Sequence, residues 1–192
     1  MASPQFLIIA GANGAGKSSS AQAVLPASVL YINADDIAKS LPGEASSARD
    51  VWAGRLLLAE WQQLEARRAD FAIETTLASR ALASRVARLQ EEGYQFHLIF
   101  FWLSSPDLAA ARVAERVRRG GHAIPPETIL RRYQVGLRHF LHLYSPMADT
   151  WRVFDNSRMG ETRLVVTGQR RQVQTVSEPQ IWKQITEAND GE

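Results

Sequence analysis

Phe6-Leu7-Ile8-Ile9-Ala10 followed by Gly11-Ala12-Asn13-Gly14-Ala15-Gly16-Lys17-Ser18 is the stretch that decides the fold. Five apolar residues form a short strand, and the next eight match G-x-x-x-x-G-K-[ST] at each defined position before a helix opens. The glycines let backbone N–H groups wrap closely around phosphate oxygens, and the helix N-terminus adds its positive end. Lys17 is expected to pair with the outer phosphates of ATP, and the Ser18 hydroxyl to complete a magnesium shell. Gly11, Ala12, Asn13, Gly14, Ala15, Gly16 and Ser19 complete the expected nucleotide cradle. The alternative, a ligand-free glycine turn, fits the strand–turn–helix context poorly.

Working outward, short apolar runs alternate with segments of helical period. Residues 6–10, 29–32, 71–73, 96–103 and 151–154 read as strands. The run from Phe96 is apolar at nearly every position, as in a parallel strand covered on both faces. Ser47-Ala48-Arg49-Asp50 resembles a loose capping box, and Ser79 can cap a helix that Gly93 closes. Ser105-Pro106-Asp107 combines a hydroxyl cap, a proline at the first helical position and a carboxylate near the positive dipole end. Pro125-Pro126-Glu127 opens another helix, with Ile129, Tyr133, Leu137, Phe140 and Tyr144 on one face. Beyond Asn156, residues 163–167 and 172–176 flank Gly168 and read as a hairpin. The expectation is one α/β domain over residues 1–192, a three-layer P-loop NTPase or kinase fold. It has a parallel five-stranded sheet flanked by helices, an arginine-rich helical lid at about 105–145, and a C-terminal β-hairpin and tail at about 160–192.

Composition narrows the function. The 192 residues are 45% hydrophobic, enough for a sizeable core, and 22 basic residues against 20 acidic ones give a net charge of +2. That balance argues against a nucleic-acid coat protein. With no cysteine, disulfides, thiolate metal sites and cysteine nucleophiles are excluded. The N-terminal apolar run is too short for a signal peptide, and no stretch approaches the ~20 apolar residues of a membrane span. A cytoplasmic protein that binds neither membrane nor nucleic acid is expected. The Asn/Thr-Lys-x-Asp element of guanine readers is absent, and no strand ends in Asp-Glu as in transport or ring ATPases. Both absences point toward a small kinase.

Two carboxylates emerge at strand ends. Tyr31-Ile32-Asn33-Ala34-Asp35-Asp36 delivers Asp35, and Phe71-Ala72-Ile73-Glu74-Thr75-Thr76 delivers Glu74. Transfer to an alcohol needs a group that accepts the hydroxyl proton and aims the oxygen at the γ-phosphate, and Asp35 is assigned that role. Glu74 and Thr76, two residues apart on an extended segment, would hold acceptor hydroxyls or order magnesium-bound water. The plainer alternatives are a helix cap at Asp35-Asp36 and a lid-arginine partner at Glu74.

Arg112, Arg116 and Arg119 recur at i, i+4 and i+7, sharing one helical stripe, before Gly120-Gly121-His122 breaks the helix. Two helices joined by such a turn form a closing lid, whose arginines stabilise charge on the transferring phosphoryl group and exclude water. Otherwise the stripe is a solvated basic face, and His122 either touches phosphate or caps the turn.

The cradle, Asn33-Ala34-Asp35, Glu74-Thr75-Thr76-Leu77, the stretch from Arg112 to His122, Arg131-Arg132-Tyr133 and Asp155-Asn156-Ser157 together resemble the zeta-toxin kinases and their chromosomal relatives. The resemblance spans roughly residues 5–157. It implies a P-loop kinase using ATP and magnesium, with Asp35 as base, Glu74 and Thr76 as an acceptor-binding pair and Arg112 as a lid arginine. It further implies phosphorylation of the 3′-hydroxyl of the amino sugar in UDP-N-acetylglucosamine, and a small helical antitoxin covering the nucleotide site. Where the plasmid toxins place a second lid arginine, this chain has His122. Another small alcohol, sugar or nucleoside as acceptor, or a nucleic-acid-associated ATP switch, are the competing readings.

Overall fold

Strand β1 (Gln5–Gly11) lies between β3 (Phe71–Thr75) and β4 (Gln95–Trp102), parallel to both, in a computed structural model describing residues 3–42 and 47–188. β2 (Leu30–Ile32) flanks β3, and β5 (Thr150–Asp155) flanks β4, both again parallel. The chain therefore runs to one side of β1 and then crosses to the other. The segment after β1 sits where the strand order reverses, the crevice in which open α/β sheets bind ligands.

The sheet has seven strands where the sequence suggested five. β6 (Arg163–Gln169) pairs antiparallel with β5, and β7 (Gln172–Val176) pairs antiparallel with β6. The expected hairpin thus extends the sheet rather than standing apart. It covers the β5 edge, whose backbone groups would otherwise lie open, and buries Val165 and Val166 completely. Helix α7 (Pro179–Glu187) then stacks Trp182 on Trp151 with ring centroids 6.0 Å apart.

Alternation along the strands creates the layers. In β4, Phe96, Leu98, Phe100 and Trp102 point into one cluster, while Ile99 and Phe101 point into the other. The first cluster is closed by Trp61 and Leu64 of α3 (Ser47–Ala66), Val86 and Leu89 of α4 (Ala81–Glu91), and Ile185 of α7. The second is closed by Ala21 of α1 (Lys17–Val24) and by Ala109 and Val113 of α5 (Pro106–Arg118). Burying aromatic and aliphatic side chains of this kind contributes about 1.5–3 kcal/mol each.

Helix α6 (Pro126–His139) belongs to both layers. Ile129 enters the second cluster and Leu137 the first, so the helix passes over the carboxyl ends of the strands. On the way the Tyr133 hydroxyl donates to the Leu103 carbonyl over 2.7 Å, and Gly136 sits against the Thr76 carbonyl. A β-carbon at Gly136 would collide with that carbonyl, so the crossing requires glycine there. A π-helical turn, Phe140–Tyr144, follows without a break and buries both of its end residues. Helices α5 and α6 are therefore each rooted in the core, and the turn that joins them at Gly120 is exposed.

The start signals are used unevenly. Ser105 caps α5 as expected, accepting from the Leu108 N–H over 3.1 Å. Ser79 accepts from the Ala81 N–H, but Arg80 is the residue at the cap position of α4. The side chains of Ser47 and Asp50 lie outside the described residues. No helix among the described residues is long and apolar enough to cross a membrane.

Candidate active site

The cradle turns from β1 into α1 with Gly16 at the cap position. Gly14 has φ +80, and a β-carbon there would lie 2.8 Å from the Ala109 carbonyl and 3.2 Å from Arg112 Cβ. Only glycine fits, because α5 presses directly on the crown of the loop. Asn156, just past β5, donates from Nδ2 to the Ala15 carbonyl over 2.6 Å and accepts from the Thr162 hydroxyl over 2.8 Å. Arg132 of α6 donates to Asn13 Oδ1 over 3.3 Å. The cradle is thus held from below by the end of β5 and from above by both lid helices.

Lys17 is 6% exposed; its Nζ donates to the Ala12 carbonyl over 3.0 Å and lies 3.6 Å from Glu74 Oε1. Burial pushes the ammonium below its ordinary 10.5, opposed by the nearby charges of Glu74 and then Asp35, while Arg116 adds to the lowering. The buried cation therefore senses both carboxylates and one lid arginine. These groups share one electrostatic environment.

Glu74 stands level with Ile9, two residues before the cradle begins, because β3 pairs in register with β1. Its Oε2 accepts from the Ser18 hydroxyl over 2.7 Å, the Tyr31 hydroxyl over 2.6 Å and Asn33 Nδ2 over 3.1 Å. Its Oε1 faces Lys17. A hydroxyl fixed at a helix start beside a carboxylate is a hard-oxygen set. It suits magnesium, which is held by few protein oxygens together with substrate phosphates.

Asp35 lies in the first turn of α2 (Ala34–Ser40), whose cap is Asn33. Asn33 Oδ1 accepts from the Asp35 N–H over 2.9 Å, so neither aspartate serves as the cap. Asp36 pairs with Lys39 over 2.7 Å on the surface, and Asp35 is the one that acts on Lys17. Thr76 follows β3, with its backbone carbonyl under Gly136.

The arginine stripe divides along its length. Arg112 lies against the cradle crown and donates to the Ser157 carbonyl over 2.9 Å. Arg116 donates to the His122 carbonyl over 3.1 Å, while its Nε is buried with no hydrogen-bond partner in the structure. Arg119 turns outward to Glu115 at 2.8 Å, and Arg118 pairs with the same carboxylate. The geometry brings Lys17, Ser18, Asp35, Glu74, Arg112 and Arg116 together around the cradle, and leaves Arg119 on the surface. His122 meets Arg116 through its backbone, and its side chain is exposed.

Tyr31 and Asn156 carry no role in the sequence reading, and Arg132 enters it only as an arginine of the second lid helix. Tyr31 looks like an ordinary strand residue, and Asn156 and Arg132 sit in short motifs that say nothing of their contacts.

The family model for zeta toxin matches residues 1–168. The chain belongs to the zeta toxin family. An uncharacterized protein of Haemophilus influenzae is 28% identical over 123 residues, covering 64% of this chain and 88% of its own length. Among solved structures, the AvrRxo1-ORF1:ORF2 complex with ATP superposes with TM-score 0.72 at 18% identity, covering 95% of this chain. The match spans only 63% of that chain's own length. The PezAT chromosomal toxin–antitoxin system of Streptococcus pneumoniae gives TM-score 0.66 at 15% identity, covering 100% of this chain and 80% of the other. At these identities the structural likeness establishes the P-loop kinase fold alone, and the zeta toxin match covers most of the chain.

Proposed function

We propose that this zeta toxin family protein transfers the γ-phosphate of ATP to a hydroxyl of a small molecule, and that UDP-N-acetylglucosamine is the first acceptor to test. The observation that supports transfer, rather than nucleotide holding alone, is the pair of carboxylates beside the cradle. Glu74 is tied to Lys17 and Ser18, whereas Asp35 is released from capping and its charge acts on the same buried ammonium.

In this mechanism the cradle amides and Lys17 hold the β- and γ-phosphates. Magnesium, held by Ser18 and the phosphates, would neutralise charge on the phosphate oxygens when bound. Asp35 accepts the proton of the acceptor hydroxyl as its oxygen attacks the γ-phosphorus, and ADP leaves with the bridging oxygen. Arg112 and Arg116 approach from the lid and offset the charge on the transferring group. Glu74 and Thr76 line the strand-end rim and orient the acceptor. The PezAT complex is a toxin–antitoxin system, and a small helical antitoxin is the corresponding partner proposed here.

Incubating the purified protein with ATP, magnesium and a panel of sugars, nucleosides and UDP-N-acetylglucosamine, followed by mass spectrometry of the acceptors, tests this function. A phosphorylated UDP-N-acetylglucosamine supports the whole proposal. Product on another alcohol keeps the kinase and removes that acceptor. ATP turnover stimulated only by nucleic acid would overturn both.

A further inference from the structure

Glu74 is solvated by the protein asymmetrically. Oε2 receives Ser18 at 2.7 Å, Tyr31 at 2.6 Å and Asn33 at 3.1 Å, whereas Oε1 has Lys17 at 3.6 Å. A carboxylate offers about four lone-pair sites, about two on each oxygen, so three donors crowd Oε2 while Oε1 keeps capacity. The Tyr31 and Ser18 hydroxyls make the two short contacts, and Tyr31 holds Oε2 from the strand side while Ser18 holds it from the start of α1.

We propose that Tyr31 is a positioning residue of the metal–nucleotide site, locking Glu74 so that Oε2 stays with Ser18 and Oε1 stays turned to the cradle. This rests on the nucleotide-site reading above. The strand supplies the geometry: Tyr31 lies in β2, which pairs with β3 so that Tyr31 stands level with Ala72, two residues before Glu74. Its ring packs on the cluster that contains Ala21 of α1, leaving the hydroxyl to reach up to the rim. Asn33 Nδ2 lies 3.2 Å from the Tyr31 hydroxyl and donates to it. The phenol has one proton, and that proton goes to Glu74. The Ser18 hydroxyl can keep its proton on Glu74 while its lone pairs face a metal, but only while Oε2 is held in place.

Tyr31→Phe removes the hydroxyl and keeps the ring, so the packing survives. The test is calorimetric titration of the full chain with ATP, once with magnesium and once with EDTA, beside a thermal melt. The wild type should bind ATP more tightly with magnesium. In Tyr31→Phe that metal-dependent gain should shrink about tenfold, with affinity in EDTA within about twofold of wild type and the melting temperature little changed. An unchanged gain would overturn the proposal. Equal losses with and without magnesium, accompanied by a lower melting temperature, would overturn it too, since they mark a structural role. If the wild type itself binds no ATP in either buffer, the nucleotide-site reading falls and the positioning role with it.

Discussion

Asn33 ties Asp35 to Glu74 through one buried side chain. Its Oδ1 accepts from the Asp35 N–H over 2.9 Å, and its Nδ2 donates to Glu74 Oε2 over 3.1 Å. The two residues, one in the first turn of α2 and the other on β3, 39 positions apart in sequence, are thereby set in one frame. Asn33→Ser should keep a competent helix cap but not the reach to Glu74, lowering turnover while the melting temperature stays close to wild type. Asn33→Ala should lose both, with about 0.5–2 kcal/mol of stability gone. Denaturant titration alongside initial rates separates the two. Equal turnover in wild type and Asn33→Ser would show that the Glu74 contact does not matter for catalysis.

Asp35→Asn should leave ATP binding intact and reduce turnover by about 10²–10⁴, the usual contribution of a positioned base. Lys17→Ala should fail earlier, at phosphate binding. Comparing calorimetric ATP affinity with single-turnover rates distinguishes them. Normal rates in Asp35→Asn would return that residue to a mere first-turn carboxylate of α2.

The divided stripe on α5 gives a contrast within one helix. Arg116, whose charge reaches Lys17, should matter: Arg116→Ala is expected to slow turnover by about tenfold or more. Arg119→Ala should be nearly silent, because a surface pair with Glu115 is worth only about 0–1 kcal/mol. Steady-state kinetics on the two variants check this, and a larger loss in Arg119→Ala would place the lid's working face elsewhere.

Gly136→Ala is a test of the fold rather than the chemistry. The added methyl would collide with the Thr76 carbonyl, a backbone atom that cannot rotate aside. Overpacking of this kind costs about 1–3 kcal/mol, measurable by urea unfolding. A wild-type midpoint would mean that α6 does not cross the strand ends this closely.

Much of this was legible in the sequence because it is local. The cradle is a contiguous motif, the buried run from Phe96 declares a central parallel strand, and Ser105-Pro106-Asp107 writes the start of α5 in three residues. Strand ends also placed Asp35 and Glu74 on one rim. Contacts between distant segments were less legible. That Asn33 rather than an aspartate caps α2 follows from where the extended backbone ends, at Asn33, and Asp155-Asn156-Ser157 gives no hint that Asn156 holds the Ala15 carbonyl from 141 positions away. Helical period put Arg119 on the stripe of Arg112 and Arg116, but the helix ends at Arg118 and the local carboxylate of Glu115 captures Arg119. The two strands of the hairpin were readable, but Gly168 lies inside β6 opposite Trp151 and the turn falls at Arg170 and Arg171, and the pairing with β5 is a long-range choice made by the open sheet edge.

The central claim is that this cradle passes phosphate to a hydroxyl rather than to water. It is tested most directly by following the label of γ-phosphate-labelled ATP in the presence of the acceptor panel. The label should appear on a small-molecule acceptor in wild type and be lost from it in Asp35→Asn. Label released only as inorganic phosphate, at the same rate with and without acceptors and in both proteins, would contradict it.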